Sequence, residues 1–127
     1  MVNNAVIWFE IMVQDMARAK LFYESVFQVK LERLNSSGFE MWGFPVSMER
    51  PGVGGALVKM DGAASWGNNG TRVYFSCKDC AVEAASVAQY GGTVYREKIS
   101  IGAYGFIALV LDTEGNMIGL HSLVWQL

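Results

Sequence analysis

The sequence predicts an α+β fold: two tandem βαβββ modules forming a curved mixed sheet, with helices outside and a cavity inside. Three observations carry this reading. Residues Trp8-Phe9-Glu10-Ile11-Met12-Val13-Gln14-Asp15 alternate in character and run into an aspartate, and Arg72-Val73-Tyr74-Phe75-Ser76-Cys77-Lys78-Asp79 do the same at an offset of 64 positions. Each stretch reads as a strand delivering the chain to a helix N-cap. The order of elements after each aspartate is also the same, and two copies of such a unit suggest a duplicated module rather than a solenoid.

Residues 5–13 predict the first strand. On one face lie Ile7, Phe9, Ile11 and Val13, all apolar and suited to lie under a helix; on the other lie Trp8, Glu10 and Met12. Asp15 caps a helix reaching about Gln28, whose apolar positions Met16, Ala19, Phe22, Tyr23, Val26 and Phe27 are expected to form a core face. Val29–Leu34 and Phe39–Phe44 read as a hairpin turning at 35–38, Pro45–Gly52 as a loop and Val53–Met60 as a fourth strand. Residues 61–70, rich in glycine and asparagine, form the expected linker between module 1 (about 5–60) and module 2 (about 71–127) of a single domain. The second module then predicts a strand at Arg72–Cys77 and a helix from Asp79 to about Tyr90, closed by Gly91-Gly92. Strands follow at Thr93–Glu97, Gly105–Leu111 and Asn116–Val124. Carried into the last strands, the repeat offset sets Gly55 against Gly119 and Leu57 against His121.

A chain of 127 residues with 52% hydrophobic residues is long enough to bury a core without a metal or disulfide staple. Its net charge of −2 lacks the positive excess of a nucleic-acid binder, so neither nucleic acid nor an anionic membrane is an expected partner. The N-terminus lacks the pattern of a secretory signal, and no apolar run is long enough to span a bilayer; a cytoplasmic location is expected. Cys77 and Cys80 form a C-x-x-C. Zinc would need two further ligands, and the chain has one histidine and no third cysteine, so both read as apolar core positions.

The strand followed by Asp-x-x-x-Ala with Phe22-Tyr23 and Val26-Phe27, the run Gly54-Gly55-Ala56-Leu57, and the ending Asp112-Thr113-Glu114-Gly115-Asn116-Met117-Ile118-Gly119-Leu120-His121 occur in an order that resembles the vicinal oxygen chelate superfamily. That superfamily holds glyoxalases, bleomycin-resistance proteins and extradiol dioxygenases. The ending and the Trp-x-Glu-Ile opening look most like its glyoxalase-related branch. The resemblance implies a small-molecule ligand or substrate, a homodimer and, in metal-dependent members, one divalent ion held from the first and last strands of each module. By register those ligand positions are Trp8, Gly55, Arg72 and Gly119, none of which is a plausible ligand. Two residues further along lie Glu10, Leu57, Tyr74 and His121, expected on one face.

Glu10 and His121 are therefore the candidate catalytic residues. Each can act in proton transfer or serve as a ligand to nickel, zinc or manganese. The structural alternatives are a Glu10 carboxylate paired with Arg72 or Tyr74 and a satisfied core histidine. Arg72 is a candidate anion contact, and Trp8 and Tyr74 are candidate cavity walls; Trp42, Tyr104 and Phe106 can line the same cavity or fill the core. The glycines of Ile99–Gly105 suit either a flap over the cavity or a strand crossover. A single histidine cannot build a facial triad of two histidines and one carboxylate, which makes extradiol dioxygenase chemistry an unexpected activity. The leading expectation is a glyoxalase-related enzyme acting on a small carbonyl-bearing molecule by proton transfer or lyase-type chemistry. The alternative is a metal-free binding and sequestering protein of the bleomycin-resistance type.

Overall fold

The computed structural model describes residues 4–36, 38–47, 49, 52–60 and 70–123; most of the expected linker, 61–69, and the end of the last expected strand, Val124, lie outside them. The order of elements is β1 (Val6–Met12), α1 (Met16–Phe27), β2 (Glu32–Leu34), β3 (Glu40–Gly43), β4 (Gly54–Lys59), β5 (Thr71–Ser76), α2 (Cys80–Val87), β6 (Thr93–Ser100), β7 (Phe106–Leu111) and β8 (Met117–Ser122). This is the predicted α+β class, with βαβββ occurring twice. Two compact units divide the chain, Trp8–Thr71 and Arg72 onward, the second also taking the residues before Trp8. No described helix is long and apolar enough to cross a membrane.

In the Trp8–Thr71 unit the strands lie in the order β2-β3-β4-β1, with β1 parallel to β4 and the other pairs antiparallel. The predicted Asp15 cap is present and accepts from the Arg18 backbone N–H at 3.0 Å. Gln28 closes the helix in the left-handed region at φ 54°, and the following residues serve the helix end rather than a sheet. Val29 N–H bonds to the Glu24 carbonyl and Leu31 N–H to the Glu24 carboxylate. The strand expected from Val29 therefore begins only at Glu32.

The expected core face of α1 is only half realised. Met16 is buried with Leu31 and Leu57, and Ala19 and Tyr23 pack against that cluster. Phe22, Val26 and Phe27, however, remain 56%, 55% and 60% exposed. Successive helical positions turn by about 100°, so Phe22 and Tyr23 cannot both face one sheet. Tyr23 takes the inner place, edge-on to Phe44 at 5.6 Å, and leaves Phe22 edge-on to its own outer side at 5.0 Å.

In the second unit the order is β5-β8-β7-β6, again with a parallel pair, β5 and β8, and antiparallel neighbours. Asp79 caps α2 through the Ala81 N–H and also holds Lys98 at 2.9 Å. The Lys98 ammonium and the capping N–H together hold the Asp79 carboxyl below its usual range. The helix ends earlier than expected, at Val87, and tightens into a 3₁₀ turn over Ala88–Tyr90 that Gly91 closes at φ 97°. Strand β6 runs to Ser100, beyond the expected Glu97, because it follows β7 through two irregularities of register around Arg96. Cys80, Ala84, Ala108, Val110 and Leu120 form the core between α2 and the sheet, with Cys77 against its edge. Both cysteines thus occupy the apolar positions expected of them.

Strand register corrects one expectation. Glu10 lies beside Ala56 and Ile11 beside Leu57, so Leu57 faces α1 rather than sharing a face with Glu10. In the second unit Tyr74 lies beside Gly119 and Ser76 beside His121. The repeat offset shortens by one residue between the first and last strands, and a one-residue slip sends every side chain to the opposite face. Leu57 is 0% exposed under α1. Leu57→Ala is therefore expected to lower unfolding free energy by about 2–5 kcal/mol, the usual range for truncating a fully buried leucine. Urea denaturation measures it, and a loss below about 1 kcal/mol would place Leu57 outside the core.

Candidate functional site

The residues expected at the site fall in both units. In Trp8–Thr71, the sheet face turned away from α1 carries Trp8, Glu10 and Met12 on β1, Ala56 and Val58 on β4 and Met41 on β3. Glu10 and Ser122 are the two buried polar or charged residues among those described, and Glu10, 9% exposed, is the one with a carboxyl group. The Trp8 indole Nε1–H donates to Glu10 Oε2 at 3.1 Å. The period-two alternation that places Glu10 among Trp8, Met12 and Ala56 is what brings a carboxylate into apolar company. Such burial is tolerated only where donors meet the carboxylate oxygens, as the indole does here.

In the second unit, Arg72 and Tyr74 on β5 share the face opposite α2 with Gly119 and His121 on β8, and with Ile107 and Leu109 on β7. Tyr74 is buried over Gly119: a Cβ at Gly119 would come within 2.2 Å of the Tyr74 ring. Glycine is thus required there so that the ring can lie flat on the neighbouring strand. The Arg72 Nε–H is buried and meets no acceptor among the described residues. His121 is half-buried, and its Nε2 lies 2.6 Å from the Tyr104 carbonyl oxygen. A carbonyl can only accept, so the contact is a hydrogen bond when Nε2 is the protonated nitrogen.

The three aromatic residues left open by the sequence lie elsewhere. Trp42 packs on the α1 side, donates to Glu40 and sits under the Lys20 ammonium at 3.4 Å from the ring centre. Phe106 packs on the α2 side with Lys98 over it, and the Tyr104 side chain is exposed. Ile99–Gly105 is neither a free flap nor a plain crossover. Its first residues complete β6, and Gly102–Tyr104 form a 3₁₀ turn whose last carbonyl holds His121. That backbone contact is invisible in the sequence, which offers Tyr104 only as an aromatic ring.

A cavity of about 450 Å³ opens between the end of β1 and α1, lined by Ile11, Val13, Ala19, Phe22 and Tyr23 among others. It contains none of the expected site residues. Its charged residues, Asp15 and Arg18, already serve the helix cap. The divalent ion implied by the resemblance does not fit what is present. No three of His, Cys, Asp and Glu come together as possible ligands among the described residues. Catalytic and structural sites of such ions need at least three protein donors. A thiol centre is also unsupported: burial, and after it the negative charge of Glu83, pushes the Cys77 thiol up to about 11.

No protein-family model matches the chain, and no curated protein sequence matches it. Solved structures do. A Streptomyces coelicolor methylmalonyl-CoA epimerase in complex with 2-nitronate-propionyl-CoA superposes with a TM-score of 0.68 at 14% identity, covering 96% of this chain and 99% of its own. Methylmalonyl-CoA epimerase from Mycobacterium tuberculosis gives 0.66 at 14%, covering 97% and 93%. A hypothetical protein from Bacillus halodurans gives 0.68 at 12%, covering 96% of each chain. Identities this low establish a shared fold and leave the chemistry to the residues.

Two outcomes test this description. Gly119→Ala should displace the Tyr74 ring and cost about 1–3 kcal/mol through overpacking, seen as a lower unfolding free energy together with altered Tyr74 ring resonances; unchanged resonances would contradict the contact. Iodoacetamide should modify Cys77 in the folded protein slowly at pH 8 and faster as pH rises towards about 11, where the thiolate forms. Rapid modification at pH 8 would contradict its protonated state.

Proposed function

We propose that this chain, which has the vicinal oxygen chelate fold, is an enzyme that moves a proton at a carbon adjacent to a carbonyl group of a small molecule, in an isomerase-type or lyase-type reaction. The observation that carries this reading is Glu10, a carboxyl side chain buried beside Trp8, Met12 and Ala56 and held by an indole N–H. A carboxylate removed from bulk water but supplied with a hydrogen-bond donor is suited to general-base work. Likeness of fold to epimerases of an acyl thioester adds to it, and thioesters are one class of carbonyl compound whose adjacent C–H bond is acidified.

In this mechanism Glu10 takes the proton, and the C–H electron pair passes into the carbonyl to give an enolate. Once protonated, Glu10 can return the proton to carbon, and His121 in the second unit is a further candidate acid or base. If the proton is delivered to the opposite face of the carbon, the configuration inverts; departure of a group instead gives the lyase outcome. In the second unit Arg72 is a candidate anion contact, a role supported by its buried Nε–H without an acceptor among the described residues. Trp8 is a wall beside Glu10, and Tyr74 a wall beside Gly119.

A second reading, a protein that binds and sequesters a small apolar or flat ligand without turnover, is favoured by the apolar company of Glu10: Trp8, Met12, Met41, Ala56 and Val58. One experiment separates the two. The protein is incubated in D₂O with methylmalonyl-CoA and with simpler thioesters and 2-oxo acids, and exchange of the proton next to the carbonyl is followed by NMR. Exchange by the wild type, reduced about 10²–10⁴-fold in Glu10→Gln, is the expected result. Exchange unaffected by Glu10→Gln would remove Glu10 from the mechanism. Retention of a compound in native mass spectrometry with no exchange would transfer the assignment to sequestration.

A further inference from the structure

We propose that the turn at Gly102–Tyr104 is a positioning device that locks His121 in the Nε2–H form, so that every proton His121 exchanges passes through Nδ1. The inference deepens the acid–base role given to His121 above and rests on that reading for its meaning in catalysis; the tautomer itself does not depend on it.

The Tyr104 carbonyl oxygen lies 2.6 Å from His121 Nε2. Because that oxygen has no proton to give, Nε2 must be the donor in both the neutral ring and the imidazolium. Only Nδ1 then changes protonation. As a base, its lone pair takes the proton and the ring becomes cationic; as an acid, it gives the same proton back and Nε2–H is undisturbed throughout. A second-sphere carbonyl that fixes which nitrogen carries the permanent proton is a recognised way to make a histidine act in one direction.

The carbonyl is held in turn by the backbone of the segment. The 3₁₀ turn closes through Gly105 N–H to the Gly102 carbonyl at 3.1 Å and Ile101 N–H to the Gly105 carbonyl at 2.8 Å. Gly105 adopts φ 105° and ψ −132°, backbone space that side chains with a Cβ strongly avoid. A Cβ there would also lie 2.4 Å from the Ser122 carbonyl oxygen and 3.2 Å from the Leu123 Cα, both backbone atoms. Ser122 follows His121 directly on β8, and its buried Oγ accepts from the Cys80 N–H at 3.1 Å, which ties that point of the strand to the start of α2. The strand has little freedom to retreat, so a larger residue at 105 must move the turn, and with it the Tyr104 carbonyl. Gly105 is therefore the positioning residue, acting on His121 through the chain that precedes it.

The test uses the only histidine in the sequence, which makes the imidazole spectrum unambiguous. Protein with ¹⁵N-labelled histidine is observed above pH 8 through two-bond couplings from the ring carbons' protons, without any substrate. The wild type should show fully separated nitrogen shifts, with the protonated-type shift at Nε2 and slow exchange of that proton. Shifts averaged between tautomers, or the protonated type at Nδ1, would overturn the proposal. Gly105→Ala should give averaged shifts and Nε2 proton exchange faster by about tenfold, as expected for loss of one good hydrogen bond. A folded Gly105→Ala protein with the wild-type signature would remove Gly105 from the device. Gly102→Ala covers the case in which Gly105→Ala does not fold: its φ of 74° strains the same turn, while its Cβ would meet nothing within 4 Å. It should move the shifts part of the way towards the average, and unchanged shifts would overturn the role of the turn. The failure of Glu10-dependent proton exchange would leave these shifts untouched, so the two readings fail separately.

Discussion

The parallel pairing of the first strand of each unit with its last is the constraint on which the remaining arrangement depends. β1 lies beside β4 from Trp8 with Gly54 to Met12 with Val58, and β5 lies beside β8 from Tyr74 with Gly119 to Ser76 with His121. Parallel strands cannot be joined by a tight turn, so a crossover has to intervene, and in each unit a helix and two further strands make it. The crossover helix then covers one face of each four-stranded group and leaves the other for function. Register decides which residues reach each face, because strand side chains alternate with a period of two.

Close approach between paired strands is achieved by omitting side chains at chosen points. Gly119 leaves room for the Tyr74 ring, and Gly55 stands beside Phe9, whose ring would lie 2.3 Å from an added Cβ. The two contacts are on different faces: Phe9 meets Phe44 under α1, whereas Tyr74 lies on the face away from α2. Glycines that match in the repeated sequence have therefore come to serve a core in one unit and a candidate site wall in the other. A shift of one residue in the last strand is sufficient to produce that difference.

Polar groups follow the same division of labour. Ser122, on the helix side of β8, satisfies the Cys80 N–H at the start of α2, a donor that no carbonyl within the helix can reach. Asp15 and Asp79 cap the helices from outside. On the other faces stand Glu10, His121 and Arg72, groups whose burial costs free energy that packing elsewhere has to offset. Fold likeness to epimerases accounts for the scaffold, while the chemistry proposed for this chain depends on those three side chains, the Trp8 indole and the Tyr104 carbonyl.

The order of elements, both helix caps and the sharing of a strand face by Trp8 and Glu10, and by Arg72 and Tyr74, were determined by sequence alone, because capping and strand alternation act over a few residues. Glu10 could be singled out for the same reason: a carboxylate in an apolar alternation is conspicuous in the local pattern. Tertiary structure decided what depends on residues far apart in the chain. It set Glu10 beside Ala56 and turned Leu57 under α1, since pairing register is fixed by how both strands pack. It also chose Tyr23 over Phe22 as the inward ring of α1, since helical periodicity alone leaves two adjacent ridges in competition. The Tyr104 carbonyl reached His121 only because a glycine conformation at 105 lays the turn against β8, and a backbone acceptor leaves no mark in the sequence of side chains.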